Sequence, residues 1–334
     1  MAEVKQKGVF YMTKRFTFFA FVFIVVAAGF SMTSCRATPD SGEAQAPIPA
    51  AEPEPGIHGN IHRIEYRGNV AYIFGSMHVG RPDWFPLSTV VESAMRRSDV
   101  FAFEFDLTQM HQAGLLSLHY ALLPDGQTLV EFLPPDVYET FIANMSTYDS
   151  FFYAFMNMFT PMFLSVMVLP ELLSEMNLYM EYSVDFYLLN FAIQNGRPVI
   201  GLNDLHSELS ITLNLPRDAQ IAVAKATQDR ATSLQMTRDL QMAEMYEAQD
   251  LDALLELRLS LAEGDDAFSL YMIEHIVHAR CRIFAAEITR LLRQTGEPTT
   301  FFITMGILHI IGGDVDTNVL GLLSDAGFEV ARFF

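Results

Sequence analysis

Two short segments near opposite ends of the chain carry the same arrangement, an apolar run followed by Gly, two residues and His. The first is Ala71-Tyr72-Ile73-Phe74-Gly75-Ser76-Met77-His78, and the second is Phe301-Phe302-Ile303-Thr304-Met305-Gly306-Ile307-Leu308-His309. An apolar run of this kind reads as a buried strand, and Gly at its carboxyl end lets the backbone turn tightly while a ligand approaches. Each His is then expected just past a strand tip, the usual place for chemistry in an α/β sheet. Between them Val100-Phe101-Ala102-Phe103-Glu104-Phe105-Asp106 forms another strand-like run, this one ending in carboxylates. Two imidazoles and a carboxylate delivered from separate strand ends make a divalent-metal triad, so His78, Glu104 and His309 are the expected ligands. Such a site would acidify a bound water and polarise a scissile carbonyl.

Other residues carry weaker signals. Arg280 lies on a predicted helix and could aim its guanidinium at a substrate carboxylate or a developing oxyanion. His275 and His278 stand three apart on the same predicted helix and would share a face, which allows a second metal site but fits a solvated face as well. His58, His62, His111, His119 and His206 have no ligand spacing.

The elements that must position these groups can be read from periodicity. Ile61 to Tyr66 and Val70 to Phe74 flank the turn signal Arg67-Gly68-Asn69 and read as a β-hairpin whose second strand delivers His78. Leu87 to Ser98 has helical spacing and leads into the Glu104 strand, an order that favours a parallel sheet. From Thr108 to Met180 the pattern is mostly helical, interrupted by Pro124, Pro134, Pro135, Pro161 and Pro170. Phe151 to Leu169 has no charged residue, but Asn157, Thr160 and Pro161 interrupt it, so buried or groove-lining helices are expected there instead of a membrane span. Tyr182 to Asn195 reads as an amphipathic helix ending at Gly196. A short buried strand from Arg197 to Leu202 follows, with Asn203, Asp204 and Glu208 beyond its tip. Leu234 to Leu261 and Ala267 to Gln294 read as long helices, the second leading into the His309 strand. Leu320 to Ala326 and Glu329 to Phe334 add a helix and a last strand. The expected fold is α/β: a central mixed, largely parallel sheet with flanking helices and a helical insertion.

Bulk properties bound the function. The 334 residues are 51% hydrophobic and 18% charged, ample for one sizeable core. A formal charge of -19 repels phosphate backbones, so no nucleic-acid partner is expected. Lys14 and Arg15 precede an apolar stretch from Phe16 to Phe30 and then Ser31-Met32-Thr33-Ser34-Cys35, the three-part layout of an export signal. Thr33 and Ser34 before Cys35 resemble a bacterial lipoprotein cleavage box, with Met32 where Leu is usual. Met12 directly before Thr13-Lys14-Arg15 is an alternative start. The expected organisation is a signal segment over 1–35, a flexible Pro/Ala-rich tether over 36–56 and a folded domain over 57–334. With Cys35 lipidated, Cys281 has no partner for an intrachain disulfide.

Together these segments resemble the TraB/PrgY/GumN family, which includes the Tiki metalloproteases. The resemblance runs from His62 to Phe334. It rests on Gly75-Ser76-Met77-His78, on Glu104 in its strand, on Asp185 to Ala192 followed by Gly196-Arg197-Pro198-Val199-Ile200-Gly201-Leu202, on Arg280, and on Gly306-Ile307-Leu308-His309. It implies a metal-dependent hydrolase acting on peptides or proteins at the cell envelope, membrane-anchored through its N-terminal lipid or signal. The implied ion is Mn or Co, with Zn as a further option, held by His78 and His309, with Glu104 either a third ligand or the group that activates water. Two departures stand out: the family usually has Glu where this chain has Asn203, and Arg-Asn where it has Arg280-Cys281. Asn203 can still offer a carbonyl oxygen to a metal but brings no charge, unless Asp204 or Glu208 supplies it. The alternative is a catalytically inactive lipoprotein of the same fold that binds a peptide or another apolar ligand along Phe151 to Met180.

Overall fold

The structure, a computed structural model, describes residues 57, 60–145, 155–227, 234–312 and 317–333. The expected signal segment, Cys35, the tether and the first residues of the Phe151 to Leu169 run lie outside them.

Six strands form one sheet: β1 (Ile61–Tyr66), β2 (Asn69–Ser76), β3 (Val100–Phe105), β4 (Val199–Asn203), β5 (Thr300–Gly306) and β6 (Ala331–Arg332). Their spatial order is β4-β3-β5-β2-β1-β6, with β4, β3, β5 and β2 parallel and β1 and β6 antiparallel to their neighbours. The predicted α/β fold with a mixed, largely parallel sheet is therefore the one observed. Strands β2, β3 and β5 are continuous apolar runs because helices cover both faces of the sheet; Phe74, Phe101, Phe103 and Phe302 are fully buried. The β1–β2 hairpin turns through Arg67 and Gly68 at φ 53° and 90°, the left-handed pair of a type I′ turn, whose twist matches that of the strands. Asn69 then ties the hairpin to the far end of the chain. Its Nδ2 donates to the carbonyls of Leu292 and Gln294 at 3.1 Å each, and its Oδ1 accepts from the Thr299 N–H at 3.0 Å.

After β2 the chain runs through α1 (Thr89–Arg97), capped by Ser88, into β3. A helical insertion then separates β3 from β4: α2 (Met110–Ala121), α3 (Pro135–Met145), α4 (Pro161–Glu175) and α5 (Val184–Gln194). Much of it carries its own small core around Leu129, Phe132, Phe141, Phe159 and Leu164, while α5 returns Val184, Leu188 and Ala192 to the main core. Among the described residues no helix is long and apolar enough to cross a membrane.

Between β4 and β5 lie α6 (Leu205–Leu213), α7 (Arg217–Ala226), α8 (Leu234–Glu247), α9 (Leu251–Ala262), α10 (Ala267–Tyr271) and α11 (Arg280–Arg293), and α12 (Val319–Asp325) follows β5. Three expectations need correction. The single helix expected from Leu234 to Leu261 breaks after Glu247, where Gln249 takes φ 57° and Asp250 caps α9 by accepting from the Ala253 N–H. The helix expected from Ala267 to Gln294 is one rod, but Met272–Ala279 within it is π-helical. The last strand shrinks to Ala331–Arg332, which pair with Arg63 and His62 of β1.

Candidate functional site

All four parallel strands point their carboxyl ends to one rim of the sheet, and the chemistry gathers there. β2 ends at Ser76, two residues before His78. β5 ends at Gly306, and the short 3-10 turn Ile307–His309 swings His309 back over the rim. Glu104 stands within β3 and is buried.

Glu104 is the centre of the arrangement. Its Oε1 accepts from the Gly306 N–H at 2.8 Å, and its Oε2 accepts from an Nη of Arg280. His78 Nε2 and His309 Nε2 each lie 3.7 Å from that same Oε1. Gly306 is required by the crowding: a Cβ there would stand 3.1 Å from His78 Nε2 and 3.4 Å from Glu104 Oε1. Burial opposes the charge on Glu104, but Arg280, His78, His309 and the Gly306 N–H outweigh it and hold the carboxyl well below the usual carboxylate range.

The two histidines are held differently. The His78 Nδ1 pairs with Asp185 Oδ2 at 2.8 Å, and Ser76 Oγ donates to Asp185 Oδ1 at 2.8 Å. The side chain of His78 is 59% exposed. Surrounding protein atoms oppose its charge, yet Asp185 and Glu104 prevail and raise its pKa to about 9. His309 is buried, its ring edge-on to Phe284 at 5.2 Å, with Nδ1 3.3 Å from Cys281 Sγ and Nε2 3.4 Å from Arg280 Nη1. Burial and then the Arg280 guanidinium push its pKa down to about 3, so the ring is neutral.

Arg280 is the buried cation of the site. It bridges Glu104 and Glu208, and its guanidinium lies over the Phe284 ring at 5.2 Å. Burial works against its charge but the two carboxylates outweigh it, so its pKa is raised. Its Nε is buried without a hydrogen-bond partner. Glu208 is buried on α6; burial, stronger there than the pull of Arg280, raises its pKa.

Asn203, expected among the metal-facing donors, faces another way. Its Nδ2 donates to Glu208 Oε2 at 3.1 Å and to Ser207 Oγ at 3.4 Å, and its Oδ1 accepts from the Asp204 N–H at 3.0 Å. Asp204 caps α6 through the Ser207 N–H. The carboxylate beside Arg280 is thus Glu208. His275 stacks on Tyr271 at 4.6 Å and His278 lies 3.6 Å from Glu274, so these two imidazoles have separate local partners. Asp185, Ser76 and Cys281 are the site residues for which sequence reasoning assigned no contact, whereas Glu208 was one of two acids expected to supply the charge missing at Asn203. A signal existed for Asp185, an acid in the first turn of an otherwise apolar helix, but nothing in the sequence says that this turn passes His78.

Do these residues fit a divalent ion? Among the described residues, no group of three or more His, Cys, Asp and Glu already stands in metal-holding geometry. Arg280 is one reason, since its guanidinium lies against both Glu104 and His309 Nε2. The donor chemistry nevertheless fits. Separations of 3.7 Å are too long for hydrogen bonds. They are close to the roughly 3.3–3.6 Å expected between neighbouring ligands of a tetrahedral ion with bonds of about 2.0–2.2 Å. A carboxylate, a neutral buried imidazole and a second imidazole backed by an aspartate also form the donor and support set that such ions use.

Compared with known proteins, residues 60–332 match the model of a family described as the TraB/PrgY/gumN family. No curated protein and no solved structure matches the chain.

Proposed function

The chain belongs to the TraB/PrgY/gumN family, and from that premise we propose that it is a metal-dependent hydrolase acting on peptides or proteins at the cell envelope. The observation that carries this reading is the convergence of His78 Nε2 and His309 Nε2 on a single oxygen of Glu104, each at 3.7 Å. In this reading His78, His309 and Glu104 hold the ion, with Mn or Co favoured by the family and Zn a further option. When bound, the ion would polarise the scissile carbonyl and make water a better nucleophile near neutral pH. Asp185 orients His78, and Ser76 steadies Asp185. Arg280, already charge-balanced by Glu104 and Glu208, would orient a substrate carbonyl or carboxylate. The missing charge at Asn203 is then supplied one turn later by Glu208, which Asn203 steadies. The N-terminal organisation completes the proposal: a signal over 1–35, lipidation at Cys35 and a tether over 36–56 would hold the domain over 57–334 beside a membrane.

The purified protein should carry a divalent ion, detected by elemental analysis, and should lose it when His78 or His309 is replaced by Ala. Equal metal content in wild type and both variants would sink the reading. One observation favours the alternative, a non-catalytic binder of apolar ligands or peptides. Phe155, Met158, Val166 and Met180 leave 40–44% of their surface exposed along the segment expected to form a groove. Retention of an apolar peptide by metal-free protein, with no cleavage after metal is added, would favour that alternative.

A further inference from the structure

The buried face of His309 carries more information than its position. A neutral imidazole has one N–H, and which nitrogen holds it decides which nitrogen can bind an ion. At Nε2 the neighbour is Arg280 Nη1, 3.4 Å away, and a guanidinium nitrogen can only donate. Nε2 is therefore the acceptor, and the proton of the neutral ring sits on Nδ1. The partner at Nδ1 is Cys281 Sγ at 3.3 Å, which must then receive that N–H. Its own hydrogen has a destination as well, because the backbone carbonyl of His309 lies 3.6 Å from the same sulfur. A thiol is a weak donor and a weak acceptor at once, so the run from Nδ1–H through sulfur to the carbonyl oxygen closes without conflict.

We propose that Cys281 is a positioning residue: its thiol receives the Nδ1–H of His309 and, together with the Arg280 donor at Nε2, holds the ring in the tautomer that leaves Nε2 without a proton beside Glu104. A neighbour on the same helix supports this assignment. Phe284, one turn along α11, packs edge-on against the imidazole and under the guanidinium, which keeps the ring from flipping its two nitrogens. Histidines that bind metals usually need such a partner at the far nitrogen, most often a carboxylate or a carbonyl. Here the thiol fills that role, at the position where a family pattern of Arg-Asn would place an amide. Its value for metal binding rests on the proposed function above; the tautomer does not.

The test uses the full chain with uniformly 15N-labelled histidine, in wild type, Cys281→Val and Cys281→Ser. Val places a methyl where the sulfur stands, adds one more and offers no acceptor, and Ser keeps a group that can accept and donate. In metal-free protein, long-range proton–nitrogen spectra should show His309 as the Nδ1–H tautomer in wild type and Cys281→Ser, and a mixture with Nε2–H in Cys281→Val. Manganese(II) affinity, measured by competition with a chelator, should fall about 10- to 100-fold in Cys281→Val and recover in Cys281→Ser. A wild-type Nε2–H tautomer would overturn the inference, and so would a Cys281→Val protein with the wild-type tautomer. Should Cys281→Val fail to fold, Cys281→Ala is read in the same two assays against the same two outcomes. A tautomer shift in Cys281→Val while manganese binds neither protein upholds the inference and removes the metal reading instead.

Discussion

The two Gly-x-x-His segments share a sequence pattern and differ in what surrounds the imidazole. His78 faces solvent, is held by an aspartate from α5, and is disposed to carry a positive charge. His309 is buried, is held by a thiol from α11, and is kept neutral. The loop behind each differs in the same sense. Behind His309, the fully buried Arg258 donates to the carbonyls of Leu308, Ile311 and Thr317. Behind His78, the chain is steadied by Tyr246, whose hydroxyl donates to the Gly75 carbonyl at 2.8 Å. A repeated motif thus sets where two ligand nitrogens can be, while residues far away in the chain set what each can do. The buried end should matter most to folding and the exposed end most to binding.

That contrast can be broken by substitution. The largest effect is expected for Arg258→Met, which strands several buried carbonyls; unfolding free energy should drop by about 3–5 kcal/mol in a denaturant titration. A loss below about 1 kcal/mol would mean that the His309 loop is not braced as described. Asp185→Asn should behave in the opposite way. Its pair with His78 is partly solvent-exposed, so stability should change by less than about 1 kcal/mol, whereas affinity for manganese(II) should fall about 10- to 100-fold. Comparable affinities for both proteins would show that Asp185 does not orient a ligand. Tyr246→Phe, which leaves only the Gly75 carbonyl unpaired, should cost about 1 kcal/mol in the same titration.

A histidine outside the site calibrates the buried end. His62 on β1 has its pKa lowered to about 4, first by burial and then by Arg332. The unfolded chain takes up this proton near the ordinary value of about 6.5, before the folded chain does, so stability should fall as pH drops from about 6.5 toward about 4. His62→Gln should flatten that part of the stability profile by on the order of 2 kcal/mol at most. An unchanged profile would place the acid sensitivity elsewhere.

Much of this was legible in the chain itself. The strands carrying His78, Glu104 and His309 are long apolar runs ended by Gly or an acid, so periodicity alone located them, and parallel order followed from the helices between them. Arg280 was found as a charge on an amphipathic helix. Two of the partners were not legible, because Asp185 and Cys281 meet the rim only through packing between elements separated by tens to hundreds of residues. Asn203 was misread for a related reason. A strand tip brings a residue to the rim, but hydrogen bonds to Ser207 and Glu208 decide which way its amide turns. The break at Gln249 also escaped, since a left-handed non-glycine residue leaves no mark in hydropathy.

The π-helical segment Met272–Ala279 has a consequence for lineage and engineering alike. Wider turns advance the chain by more residues per revolution than an α-helix does, so this stretch sets the rotational phase at which α11 begins. At the observed phase, two adjacent residues, Arg280 and Cys281, both reach the His309 ring. Relaxing this stretch to α-helical turns at its present length would rotate everything after it relative to everything before, because each residue then turns the chain further about the axis. The winding of this segment is therefore a dial with one working setting, and a change that let it relax to α-helical turns would unship both residues from the site at once.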